Sequence, residues 1–202
     1  MNIKVSMIIP VYNRLDLTIN CLKSILQCDS DDIPFEIIIV NNGSSEPLSE
    51  ALENYLGGKR PVSLLVNPTN LGFARACNQG AHAAKGEYVL FLNNDTEVLN
   101  HWLSPLVKIL NQDEHVGIVG NKLLFPNQTV QHAGIVMAEF TGLDPLRQLH
   151  IFYECPSDWE ILNQPRCYQA VTGACLLIRH TLFESVEEFN EEYWNGYEYV
   201  DL

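Results

Sequence analysis

The sequence predicts an α/β fold: a single doubly wound, mostly parallel sheet flanked by helices, with a smaller mixed part in its second half. Three observations carry this. Short apolar runs alternate with segments of helical spacing through the first half of the chain. The runs are nearly continuous and rich in β-branched residues, as strands buried on both faces are. The chain has 202 residues, 47% of them hydrophobic and 18% charged, so it can bury a sheet of that size.

In order, "VSMII" (5–9) is the first strand and "FEIIIV" (35–40) the second. A helix follows, with Leu48, Ala51, Leu52 and Tyr55 on one face, Ser45 as its N-cap and Pro47 in its first turn. "VSLLV" (62–66) is the third strand. Residues 73–84 then carry a face of small residues, Cys77, Gly80, Ala81 and Ala84, suited to close packing on a sheet. "EYVLFL" (87–92) is the fourth strand, and Leu103, Leu106, Val107 and Leu110 mark a helix after Asn100. Further on, "VGIVGNKLLF" (116–125) and "VTGACLLIR" (171–179) read as strands. Between them, 138–168 holds Gly142, Pro145, Pro156 and Pro165 with little periodicity, the mark of a functional or mobile loop.

Twelve basic residues against 25 acidic ones leave a net charge of −13, which argues against a nucleic-acid binder and against an anionic membrane surface as main partner. From His180 to Leu202 there are seven acids and no Lys or Arg. The six cysteines (21, 28, 77, 155, 167, 175) form no CxxC pair and read as reduced thiols of an intracellular protein, several of them buried. No apolar stretch approaches the ~20 residues of a membrane span. The sequons at Asn42, Asn94 and Asn127 read as chance.

Doubly wound sheets bind ligands beyond the C-terminal strand ends, near a topological switch point. Residues 10–13, 41–44, 67–72 and 93–97 fill those places and are rich in polar side chains. In "LNNDTE" (92–97), Asp95 with the amides of Asn93 and Asn94 suits Mg2+ or Mn2+ when substrate phosphates complete the shell. The alternative is a strand-end turn in which Asp95 or Thr96 caps the next helix. "VNNGSS" (40–45) reads equally as a strand–helix turn, with Asn42 facing the same crevice. "NPTNLGFARACNQG" (67–80) adds Arg75, able to pair with a phosphate or stack on a base, and Asn78. There is no GxGxxG after the first strand, no P-loop and no serine nucleophile elbow. His132 in "VQHAG" reads as structural. Glu187, Glu188, Glu191 and Glu192 suit a solvated helix face, whereas Glu198 and Asp201 sit among Gly196, Tyr197 and Tyr199 and point to a site.

Taken in order, "VSMIIPVYNR", "EIIIVNNGSS", "NPTNLGFARACNQG", "GEYVLFLNNDTEV", "VGIVGNKLLFPNQTVQHAGI" and "VTGACLLIRHTLFESVEEFNEEYWNGYEYVDL" resemble the inverting glycosyltransferases of family 2, of GT-A fold and rhamnosyltransferase-like flavour. The resemblance covers nearly the whole chain. It implies one domain over 1–202, with a nucleotide-sugar-binding half (1–99) and an acceptor-side half (100–202). Pro10 and Tyr12 would flank the base, and Asn42 stands where the family often has an Asp reading the base edge. Arg75 and Asn78 would serve the nucleotide, with Asn94 near the ribose. Asn93-Asn94-Asp95 matches the DxD motif, with Asp95 as ligand to Mn2+ or Mg2+. Gly173 and Ala174 would lie beside a saccharide or lipid-linked acceptor.

The implied reaction is displacement at the anomeric carbon of a nucleoside-diphosphate sugar, in bacterial surface polysaccharide synthesis. A carboxylate would deprotonate the acceptor. The family's Glu-Asp-Val-Asp-Leu reads Glu-Tyr-Val-Asp-Leu here, so Tyr199 replaces the usual base and Glu198 or Asp201 would have to substitute. A phenol of ordinary pKa near 10 is a poor base at neutral pH. Two other readings therefore stand beside the transferase. One is a catalytically impaired nucleotide-sugar-binding module, and the other a nucleotidyltransferase, disfavoured by the lack of a phosphate loop after the first strand. The family pattern continues past Leu202, so the chain is expected to be a fragment, placed in the cytoplasm or peripherally at the inner face of the membrane.

Overall fold

The computed structural model of the chain describes residues 3–28, 32–45, 47–56, 62–138, 147–194 and 196–202. Its first elements are β1 (Val5–Val11), α1 (Leu15–Gln27), β2 (Phe35–Asn42), α2 (Leu48–Leu56), β3 (Val62–Asn67), α3 (Phe73–His82), β4 (Tyr88–Leu92), α4 (Ser104–Gln112) and β5 (Ile118–Gly120). There follow β6 (Leu123–Leu124), β7 (Val130–His132), β8 (Ile135–Ala138), β9 (Arg147–His150) and a 3-10 turn (Glu160–Asn163). The last are β10 (Cys175–Arg179), α5 (His180–Ser185) and α6 (Glu198–Asp201). The chain groups into two compact units, Met1–Val119 with Gly173–Leu202, and Gly120–Thr172.

The first unit is built on a six-stranded sheet in the order β3-β2-β1-β4-β10-β5. β1 runs parallel to β2 and β4, β2 runs parallel to β3, and β10 is antiparallel to β4. Apolar side chains stack across this register: Ile8 lies opposite Ile38 on one side and Phe91 on the other, and all three are fully buried. This is the doubly wound, mostly parallel sheet that the continuous apolar runs predict. The small-residue face of α3 also behaves as expected. A Cβ on Gly80 would stand 2.4 Å from Ile8 Cγ2, so glycine lets the helix lie directly on β1. The chain winds outward from β1 to β2 and β3, then returns to place β4 on the other side of β1. The topological switch point is therefore between β1 and β4.

Four local expectations differ from the structure. α1 is a helix that the sequence expectations omit, although Thr18, Cys21, Leu22 and Ile25 are buried at helical spacing. Ser45 does not cap α2; its N–H and its hydroxyl both donate to Asn13 Oδ1, at 2.9 and 3.1 Å. The run 116–125 is two strands in different sheets. It breaks at Asn121 and Lys122, where the Lys122 ammonium donates to Ser157 O and Asn163 Oδ1. Glu187 and Glu188 adopt φ of +67°, so 187–192 is a succession of turns and not a helix face.

Within the second unit, β6 pairs with β7 and β8 with β9. The segment 138–168, expected to be irregular, thus contributes β9 and the 3-10 turn, while Gly142 and Pro145 lie outside the described residues. His132 is 2% exposed, with Nδ1 3.1 Å from His150 Nδ1 and Nε2 accepting the Thr172 N–H at 3.3 Å. Since Nε2 accepts, Nδ1 carries the proton and donates to His150. Burial, reinforced by His150, lowers the His132 pKa to about 4, so the imidazole is a neutral cross-link between strands. Among the described residues no helix is long and apolar enough to cross a membrane.

Candidate active site at the strand ends

The switch point carries the sharpest constellation. β4 ends at Leu92, and the next three residues form a turn in which the Thr96 N–H donates to Asn93 O. Asn94 Nδ2 donates to Thr18 Oγ1 at 2.9 Å, and that hydroxyl donates in turn to Arg14 O. Cys21 Sγ lies 3.7 Å from Asn93 O. The turn is thus seated on α1, a support that the sequence signal around Thr18 and Cys21 would have revealed. Asp95 is exposed, and among the described residues no hydrogen bond or ion pair reaches its carboxylate. Its charge is felt at Cys21, whose thiol is pushed up to about 12 by burial first and then by Asp95, Cys175 and Glu97. Beside it, Pro10 pairs in register with Val40 near the end of β1, and Tyr12, just past the strand, is 53% exposed. Asn13 and Arg14 both take left-handed φ, turning the chain sharply into α1.

The β2 and β3 ends are fused by amides. Asn42 is 4% exposed; its Nδ2 donates to Asn70 Oδ1 (2.9 Å) and Gly72 O (3.1 Å). Its Oδ1 accepts from Asn67 Nδ2 (3.0 Å) and the Leu71 N–H (3.1 Å). Every hydrogen-bonding position of this amide is therefore engaged within the protein. Gly43, at φ +78°, has no room for a side chain because Thr69 backbone carbon lies 2.4 Å from the Cβ position. Asn67 and Asn70, which the sequence reading left inside a loop, are the partners that make this a rigid floor.

Arg75 and Asn78 on α3 face the acidic tail. Arg75 Nε is 2.8 Å from Glu191 Oε2, both side chains being partly exposed. Asn78 is buried and exchanges hydrogen bonds with the Phe189 backbone, Nδ2 to O at 2.9 Å and N–H to Oδ1 at 3.2 Å. The Phe73 N–H at the start of α3 donates to Trp194 O, and Trp194 itself is 64% exposed. The tail is thus pinned along α3 and carried toward the strand ends.

The acceptor-side residues meet the switch point directly. Since β10 runs antiparallel to β4, its entry falls beside the exit of β4, and the Asn93 N–H donates to Ala174 O at 3.0 Å. Gly173 lies under the Tyr199 ring, with Cδ1 3.0 Å from where a Cβ would stand. Glu198, at the head of α6, is 2% exposed, and its Oε2 is buried without a hydrogen-bond partner among the described residues. Burial raises its pKa, against the lowering effect of its own N–H and that of Gly196. Asp201 is exposed and accepts from Asn190 Nδ2 at 3.4 Å. The structure therefore brings Asp95, Asn94, Gly173, Ala174 and Tyr199 into one chain of neighbours. Asn42 and Asn78 serve the scaffold that surrounds them, and Arg75 is held by Glu191.

Among the described residues no three His, Cys, Asp or Glu side chains are grouped to hold a metal by themselves. One uncommitted, exposed carboxylate at a switch point still fits Mn2+ or Mg2+, because such ions are commonly bound by one or two carboxylates together with substrate phosphates.

The profile of glycosyl transferase family 2 matches residues 6–158. Over 199 residues the chain is 37% identical to the O-antigen biosynthesis protein RfbC of Myxococcus xanthus, a match covering 94% of this chain and 15% of that protein. Among solved structures, GalNAc-T7 with UDP, GalNAc and Mn2+ superposes with a TM-score of 0.74 at 16% identity, covering 98% of this chain and 39% of that one. The mannosyltransferase PcManGT from Pyrobaculum calidifontis, in complex with GDP-Man and Mn2+, gives 0.68 at 19% identity, covering 94% and 48%. The fold is the GT-A fold of these glycosyltransferases. The chain spans less than half the length of each of these three proteins.

Proposed function

The chain belongs to glycosyl transferase family 2, and from this we propose that it moves a sugar from a nucleoside-diphosphate donor to a saccharide or lipid-linked acceptor, with inversion. The observation that carries the reading is the turn after β4. It presents the uncommitted Asp95 carboxylate and, through the Asn93 N–H, holds the Ala174 carbonyl of the loop that leads into β10. Donor and acceptor sides thereby converge on three consecutive residues. The relative named for O-antigen biosynthesis supports a bacterial surface polysaccharide as the product.

In this reading Pro10 and the exposed Tyr12 flank the base, and Asn94, held by Thr18, faces the ribose. Asn42, Asn67 and Asn70 keep the floor rigid, so that the donor meets a preorganised surface. Arg75 contacts the diphosphate after exchanging Glu191 for it. Asp95 would hold a divalent cation, which would supply neutralisation of the leaving diphosphate. The 198–201 segment supplies the group that deprotonates the acceptor hydroxyl, an effect worth roughly 10²–10⁴-fold. Gly173 and Ala174 line the acceptor side.

One observation favours a second reading, a nucleotide-sugar-binding module without turnover: the position of the expected base holds Tyr199, whose ring packs over Gly173. Calorimetric titration of the chain with UDP, dTDP and GDP, each with Mn2+, tests both. We expect one nucleotide to bind, and Asp95→Asn to abolish the Mn2+-dependent part of that binding. No binding by any of the three sinks both readings. Binding without donor hydrolysis, with hydrolysis appearing in Tyr199→Asp, supports the module over the enzyme.

A further inference from the structure

We propose that Glu198 Oε2, and not Tyr199 or Asp201, takes the proton of the acceptor hydroxyl; this rests on the transferase reading above. Glu198 is 2% exposed, and one of its carboxylate oxygens, Oε2, is buried and meets no donor among the described residues. A buried acceptor left unmatched is costly, and in native proteins such groups are few. It persists where a ligand supplies the missing donor, and a sugar hydroxyl is such a donor. The other groups of α6 are otherwise placed. The Tyr199 ring covers Gly173, and Asp201 is exposed with Asn190 on it.

The surroundings suit proton transfer. Gly196, at φ +92°, has nothing within 4 Å of where a side chain would stand, and its backbone N–H acts on the Glu198 carboxylate. Burial makes the carboxylate more basic than a solvated one, closer to the matched pKa that general-base catalysis favours. The titratable group facing it from α3 is Cys77, fully buried, whose thiol is pushed well up by burial and by the Glu198 charge. That thiol stays neutral and does not compete for the proton. Tyr199 and Asp201 are the other titratable groups of α6. In the step itself, the acceptor O–H proton passes to Oε2 as the acceptor oxygen bonds to the anomeric carbon. The bond from that carbon to the diphosphate oxygen breaks, and its electron pair leaves with the diphosphate.

The test measures nucleoside diphosphate release from UDP-glucose, UDP-N-acetylglucosamine, GDP-mannose and dTDP-rhamnose with Mn2+, water acting as acceptor, across pH 5 to 9. Glu198→Gln should lose roughly 10²–10⁴-fold in kcat and its acid limb, with donor affinity unchanged. Added formate should restore turnover to Glu198→Ala. A second readout needs no turnover. A folded-state pKa raised above the unfolded value stabilises the fold at low pH, and that contribution is lost as pH rises through the raised value. Glu198→Gln should therefore melt above the parent chain at pH 8 and not at pH 4. Retention of rate and acid limb in Glu198→Gln overturns the assignment. So does loss of that limb in Tyr199→Phe or Asp201→Asn instead. A parent chain that binds UDP with Mn2+ but releases nothing from any donor overturns the transferase reading, and the assignment falls with it.

Discussion

At the scale of single residues, Asn42 shows why a family position can change its chemistry. Its Nδ2 points at two acceptors, Asn70 Oδ1 and Gly72 O, while its Oδ1 faces two donors. Only an amide matches that pattern. In Asn42→Asp an oxygen would face the two acceptors, losing two hydrogen bonds in a site 4% exposed. We expect a loss of about 2–3 kcal/mol, seen as a fall of about 5–10 °C in Tm, with weaker UDP binding as the floor loosens. Calorimetric melting of the variant checks it, and an unchanged Tm would show that the network rearranges freely. The sequence places Asn42 at a strand end but is silent on these partners, because they arrive from 67–72 on another strand. Glu198 poses the same difficulty. Its position in the tail reads as a site, but its buried, unmatched oxygen depends on α3 and on the turn before α6.

At the scale of elements, β1, β2 and β4 were legible because a strand buried in the sheet has a continuous apolar run. But β3 shows a similar run with Val66 60% exposed, and 116–125 a similar run divided between two sheets. Helix ends were less so, because their caps are remote. α4 has no basic residue in its last turn, and the guanidinium of Arg179, on β10, serves instead. It donates to Leu110 O, Val116 O and, at 3.0 Å, Asp113 O. These carbonyls belong to the end of α4 and the turn after it, which otherwise carry an uncompensated negative dipole. Arg179→Met keeps most of the aliphatic stem and removes all three hydrogen bonds. A loss of about 3 kcal/mol is expected, since hydrogen bonds from a charged donor are the stronger kind. Amide hydrogen exchange should show the last turn of α4 losing protection before the central strands do. Equal loss throughout the sheet would mean that Arg179 holds β10 rather than the helix. α1 is a different case: Thr18, Cys21, Leu22 and Ile25 fall at helical spacing on its buried face, and Thr18 and Cys21 also seat the turn after β4.

At the scale of the whole molecule, strand order puts the ends of β1 to β4 along one edge of the sheet, with the switch point between β1 and β4. What strand order does not give is how an acidic chain would receive the anionic donor proposed for it. The net charge is −13, and the two arginines carried past β1 and β3 are both paired, Arg14 with Asp16 and Arg75 with Glu191. A nucleoside diphosphate therefore approaches a field of its own sign. Screening sets how much of that field it feels, with a Debye length of about 30 Å at 0.01 M salt and about 8 Å at 0.15 M. We expect metal-free UDP to bind more tightly as salt rises over that range, because repulsion from the whole chain is removed. With saturating Mn2+ the ligand arrives with most of its charge cancelled, so its affinity should change little. Titrations in EDTA and in Mn2+ at the two salt concentrations separate these cases. Metal-free binding that weakens with salt would show the opposite, that Arg75 leaves Glu191 and dominates locally. Neutralisation would then come from the protein, and Asp95→Asn would spare most of the affinity.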